Sequence, residues 1–181
     1  MANHPTSQLL RGLKDFKGPA PVHLWHPTHC GEIDIRIARD GQWYHQGSPI
    51  LRPELMQLFA SVLRREPDGS YCLVTPVEKM TIQVEDCPFV AQLLERERQG
   101  QQQVLRFTLN TGEHVEADAD HMIIVEERAG EPHPRLQVRN GLDALLSRNV
   151  FYQLVEIAEQ EQGKMRVWSK GAEFVLGEVV I

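Results

Sequence analysis

The chain has 181 residues, 41% of them hydrophobic and 24% charged, the make-up of one ordinary folded domain or of two small ones sharing a core. A formal net charge of −6 argues against a nucleic-acid or anionic-membrane partner, whose usual footprint is a basic patch. Nothing is apolar over the roughly 18 residues that a spanning helix needs. The start, "MANHPTSQLLRGLKDF", lacks the pattern of a signal peptide, and the scattered cysteines Cys30, Cys72 and Cys87 make no disulfide framework, so cytoplasmic residence is expected.

In chain order, Ser7 can cap a short helix carrying Leu9, Leu10, Leu13 and Phe16, which Gly18-Pro19 ends; Gly18 to Pro21 reads as a linker. From Ile33 the period becomes two, with Ile33, Ile35 and Ile37 on one side and Asp34, Arg36 and Ala38 on the other. Asp40-Gly41 then signals a hairpin turn into a strand carrying Trp43 and Tyr44, with a break at Gly47-Ser48-Pro49. Leu55, Leu58, Phe59, Val62 and Leu63 form the stripe of an amphipathic helix, with Pro53 in its first turn and Pro67-Asp68-Gly69 as its stop.

Tyr71 to Val84 reads as a second hairpin turning near Thr75 to Glu78, with Met80, Ile82 and Val84 on one face. A third runs from Phe89 through Gln99-Gly100 to Phe107; Leu105, Phe107 and Leu109 alternate into Thr111-Gly112, and Val115 begins the return. Met122 to Val125 and Leu136 to Val138 are short apolar strands. A second helix spans about Arg148 to Glu161, capped by Ser147 and striped by Phe151, Leu154, Val155 and Ala158. Gly163 stops it, and a last hairpin from Met165 to Val180 turns at Lys170-Gly171.

The halves repeat one pattern. "IDIRIARDGQW" and "LRFTLNTGEHV" are both a strand, a glycine turn and a return strand, each followed by a helix, a stop glycine and a hairpin. The expected fold is therefore α+β: two structurally related halves of antiparallel β-hairpins, each packed by one amphipathic helix.

Four stretches, "CGEIDIRIARDGQWYHQGSPILR", "GSYCLVTPVEKMTIQVEDCPF", "NGLDALLSRNVFYQLVE" and "VWSKGAEFVLG", resemble the bacterial domain-of-unknown-function family numbered 1285. The resemblance runs from about Trp25 onward. It implies two related halves, the C-terminal one pleckstrin-homology-like, and a ligand-binding or signalling role with no catalytic residues to carry over. The expected division is 1–21 as N-terminal helix and linker, 22–88 as N-terminal repeat, and 89–181 as C-terminal repeat.

Five constellations could carry chemistry. His23, His26, His29 and Cys30 are metal-ligating types at tight spacing, but they lack a second ligand pair and a helical face, so a histidine-rich surface segment is the better reading. Cys30 follows His29, and adjacent residues of an extended chain point apart; Cys72 and Cys87 read as small buried hydrophobes. Glu78, at a hairpin tip, and Glu85 read as solvated carboxylates, and Asp86 as a turn-former. Neither GxxxxGK[ST] nor GxGxxG occurs, and no cofactor is expected.

The fifth set is Arg36, Trp43, Tyr44, Arg52, Lys79, Arg139, Trp168 and Lys170, a mixture enriched at recognition surfaces. Large aromatics on hairpin strands also belong to the core, which competes for Trp43 and Trp168. Arg36, Trp43, Arg52, Lys79, Arg139 and Trp168 are the candidate ligand contacts. The leading expectation is a module that binds a peptide, a protein or a small molecule in a groove between the halves, Arg36, Arg52 or Lys79 meeting acidic groups. The rival is a hydrolase-like enzyme using His45 or His114 with Asp86 or Glu78.

Overall fold

The computed structural model of the chain describes residues 18–98 and 102–179. The helix expected around Leu9 to Phe16 and the turn expected at Gln99-Gly100 lie outside the described residues. Between Asp86 and Cys87 the chain divides into two compact units.

In the N-terminal unit the strands are β1 (His29–Ile37), β2 (Trp43–His45), β3 (Ser48–Pro49), β4 (Leu63–Arg65), β5 (Tyr71–Val74) and β6 (Glu78–Val84), with helix α1 (Pro53–Ser61) between β3 and β4. The alternation read from Ile33 onward is the reason β1 is a strand: Ile33, Ile35 and Ile37 are buried while Asp34 is exposed. Asp40-Gly41 makes the predicted turn, Gly41 taking φ 88° and Asp40 Oδ1 accepting from Gln42 N at 3.0 Å. The expected break after Tyr44 is a second tight turn, at Gln46-Gly47, both left-handed, which pairs His45 with Ser48.

The helix ends sooner than its stripe predicts. Val62 and Leu63 are buried, but Leu63 already pairs with Leu73 in β4–β5. Pro67-Asp68-Gly69 is therefore the turn between two strands and not the stop of a helix. The second helix behaves alike. It spans Arg148–Ile157 (α2), and Glu159–Glu161, expected as its last turn, is a strand, with Gln162-Gly163 as the following hairpin turn.

The C-terminal unit has β7 (Phe89–Glu97), β8 (Val104–Leu109), β9 (His114–Glu116), β10 (Ile123–Arg128), β11 (Glu131–Arg139) and β12 (Leu142–Leu146), then α2, then β13 (Glu159–Glu161), β14 (Lys164–Ser169) and β15 (Ala172–Glu178). Leu105, Phe107, Leu109, Leu136 and Ala144 fill its core, closed by Val150 and Leu154 of α2, which packs on β7 and β14.

The sheets share one topology. The first has the order β3-β2-β1-β6-β5-β4 and the second β9-β8-β7-β12-β11-β10, with a separate three-stranded sheet β13-β14-β15. In each six-stranded sheet two antiparallel three-strand ribbons are joined by a parallel pair, β1 with β6 and β7 with β12. The duplication is thus a property of the fold, but in another register than the hairpin patterns suggest. β1 corresponds in pairing to β7, not to β8, and the helices hold different places, α1 inside its repeat and α2 after it. Each six-stranded sheet also contains one parallel pair where all-antiparallel pairing was expected.

Candidate functional site

The polar face of the N-terminal sheet gathers most of the unit's interacting cations. Strand alternation puts Lys79, Thr81 and Gln83 of β6 on the face opposite Met80 and Ile82. Arg36 pairs with Gln83, Tyr44 with Arg36, Cys72 with Thr81 and Arg64 with Cys72, so these side chains lie on the same face.

At one end of that face the Arg36 guanidinium stacks over the Tyr44 ring at 4.4 Å and donates to Glu85 Oε1. The other Glu85 oxygen accepts from the Arg39 amide at 3.0 Å, and Arg39 Nε lies 3.4 Å from Asp86 Oδ2. Asp86, expected as a turn-former, is an almost buried partner of that arginine, its side chain 9% exposed.

The other end is drier. Arg64 donates to Glu66 at 2.6 Å and, through Nη1, to the carbonyls of Val22 and Trp25. Lys79 Nζ lies 3.4 Å from Glu66, and the Cys72 thiol donates to Glu66 at 3.2 Å. Burial alone would raise the Glu66 carboxyl; the hydrogen bonds from Arg64 and Cys72, with the Arg64 and Lys79 charges, outweigh it and hold the group below its ordinary value. Burial, reinforced by the Glu66 carboxylate, pushes the Cys72 thiol up to about 12, so it is neutral and a poor nucleophile. Arg64 and Glu66 escape a reading that carries the first helix through them. Reading Leu63–Arg65 as a strand against Tyr71 to Leu73 would have put Arg64 beside Cys72.

Of the candidate contacts, Arg36 and Lys79 share this face. Trp43 lies on the other side, fully buried with its ring 6.1 Å from that of Phe59 and 20° from parallel, so it belongs to the core. Arg52 caps α1 through its backbone, its exposed side chain making no cap bond and having no partner among the described residues. Arg139 and Trp168 belong to the C-terminal unit: Arg139 donates to both Glu113 oxygens at 2.6 Å and lies over Phe89, and Trp168 is half-buried in β14.

Other expected groups fall elsewhere. His23, His26, His29 and Cys30 are all exposed, and their ligand atoms do not gather within 4.8 Å of one another. Glu78 is only 7% exposed and is not the solvated carboxylate expected at a hairpin tip. It shares the face of Met80 and Ile82, while Thr75 Oγ1 accepts from its amide at 3.1 Å. His114 Nδ1 sits 3.0 Å from Thr108 Oγ1, and neither it nor His45 has a carboxylate hydrogen-bonded to it among the described residues. No helix among the described residues is long and apolar enough to cross a membrane.

The comparisons with known proteins agree on one family. The family model of the N-terminal domain of a domain of unknown function (DUF1285) matches residues 20–87, and that of the C-terminal domain of a protein of unknown function (DUF1285) matches residues 88–176. No curated protein matches the chain. Among solved structures, a DUF1285 family protein from Silicibacter pomeroyi DSS-3 is 46% identical, with 98% of this chain and 97% of that chain covered and a TM-score of 0.91. A DUF1285 family protein from Shewanella baltica OS155 is 27% identical over 69% of this chain and 92% of that chain, with a TM-score of 0.55.

Proposed function

The chain belongs to the DUF1285 family, whose function is unknown, and from that premise we propose that it is a binding module for an acidic ligand, a peptide or a small molecule, held on the polar face of its N-terminal sheet. The observation that carries this reading is Arg36. Its guanidinium is fixed over Tyr44, its side chain is 37% exposed, and it already holds a carboxylate, that of Glu85. A ligand carboxylate can take the place of Glu85 with little rearrangement, because stacking on Tyr44 has prepaid the ordering of the arginine.

Lys79 adds charge on the same face, although Glu66 offsets it. Arg52, exposed beside Leu51 at the start of α1, belongs to the helix whose Phe59 packs with Trp43 on the other side of the sheet, so it takes no part in this site. The hydrolase reading has no comparable support, since among the described residues no carboxylate is hydrogen-bonded to His45 or His114.

The test is a thermal-shift screen of the full chain against acidic peptides and di- and tricarboxylates, followed by calorimetric titration of any hit. Arg36→Ala should weaken binding on the order of tenfold, the loss of one charge-assisted hydrogen bond. Arg52→Ala, on the helix of the other face, should leave both the affinity and the melting temperature unchanged. A hit that binds Arg36→Ala as tightly as the parent chain, or a screen without a saturable hit, would defeat the reading.

A further inference from the structure

A cavity of about 480 Å³ opens in the C-terminal unit where the end of β7, the start of β8, β9 and the β14–β15 turn come together. Glu97, Arg98, Val104, Glu116, Lys170 and Gly171 line it. Its volume falls within the range of small-molecule sites, and beside Val104 and Gly171 it presents four charged side chains, Glu97, Arg98, Glu116 and Lys170.

The charges alternate and are held in place. Arg106 donates to Glu97 at 2.9 Å and to Glu116 at 2.8 Å, tying the two carboxylates from behind. Lys170 closes on the second Glu116 oxygen, with Asp118 at 4.0 Å. The hydrogen bond from Lys170, then the one from Arg106, holds the Glu116 carboxyl below its ordinary value, and Glu116 raises the Lys170 ammonium, so both stay charged at neutral pH. Arg98 has no partner among the described residues.

The frame beneath these charges is rigid. The Lys170 amide donates to the Gln103 carbonyl at 2.9 Å, the Gln103 side-chain amide donates to the Trp168 carbonyl at 2.7 Å, and the Ser169 hydroxyl accepts from Leu105 N at 2.9 Å. Gln103 and Ser169 are buried, at 4% and 0% exposed. These three bonds fix the hairpin tip to β8, where Lys170, at φ 50° before Gly171, takes the left-handed conformation of a two-residue hairpin turn, as Gln46 and Gln162 do in theirs.

A simple anion entering here would meet Glu97 and Glu116, and a simple cation would meet Arg98 and Lys170. A molecule bearing both charges meets an opposite for each. We propose that this cavity binds a zwitterionic small molecule of the amino-acid or dipeptide class, its carboxylate on Arg98 and Lys170 and its ammonium on Glu97 and Glu116. The site is separate from the polar face of the N-terminal sheet and does not rest on the reading given for that face.

The test is a titration of the ¹⁵N-labelled full chain with free L-amino acids and with diglycine at millimolar concentration, followed by amide chemical shifts. The single-charge comparators are N-acetylglycine and glycinamide. A zwitterion should shift the Glu116, Lys170 and Gly171 amides saturably, and each comparator should bind about tenfold more weakly. Lys170→Asn removes the charge while keeping a residue that tolerates the left-handed backbone, and should abolish the response; if it unfolds the protein, Glu97→Gln, on a half-exposed side chain, takes its place. Arg36→Ala should leave the response intact. No saturable shift, an equal response to the comparators, or a full response in the charge-removing variant would overturn the proposal.

Discussion

Glu66 links the chemistry of the polar face to its stability. Its carboxyl, held below the ordinary 4.5 once the bonds from Arg64 and Cys72 outweigh burial, binds its proton less readily folded than unfolded. The stability it contributes is therefore complete above pH 4.5 and is lost as pH falls through the lower folded value. In urea titrations, the stability gap between the parent chain and Glu66→Gln should be widest near neutrality and close in acid; a gap independent of pH would show that its charge contributes nothing. Arg36 on the solvent face and Ile35 and Ile37 in the core were legible, because alternation reports sides directly. Glu78 was misread although the same alternation places it with Met80 and Ile82: its position at a turn suggested solvent, and parity decided its burial. Arg64 was hidden for a different reason, since its pairing partners only become neighbours across a ladder.

At the scale of elements, both helices were legible at their starts and overrun at their ends. A start is a local chemical event. Ser147 Oγ accepts from Val150 N at 3.3 Å, as its identity and place predict, and Pro53 occupies the first turn of α1. An end set by sheet pairing is not local: Leu63 and Glu159 to Glu161 leave the helical path because strands elsewhere in the chain receive them. Strands of two or three residues, β2, β3, β4, β9 and β13, are also too short to show a period. The caps differ in what they contribute. Ser147→Ala should lower unfolding free energy by about 1 kcal/mol, the usual cost of a lost cap, with intact secondary structure. An unchanged denaturation midpoint would mean that packing of Val150 and Leu154 alone holds α2.

At the scale of the molecule, the repeat shows what periodicity leaves out. Alternation announces a strand and says nothing of its neighbour, so the hairpin grammar set "IDIRIARDGQW" against "LRFTLNTGEHV", whereas pairing sets β1 against β7. The parallel pairs β1–β6 and β7–β12 are the least local joints of each sheet, closing a ribbon of three strands onto the next three. Every ladder of the first sheet closes between His29 and Val84, and its core residues Ile37, Trp43, Phe59 and Leu73 all lie within the same stretch. A fragment of residues 18–86 therefore contains a complete sheet with its helix. At that size the apolar area buried only narrowly exceeds the chain entropy lost, so its folding should be marginal but cooperative. The fragment should give a sheet-type far-UV spectrum and one sigmoidal urea transition, with a slope smaller than that of the full chain in proportion to the surface it exposes. A fragment without a cooperative transition would mean that a shared topology does not make the first repeat an independent folding unit.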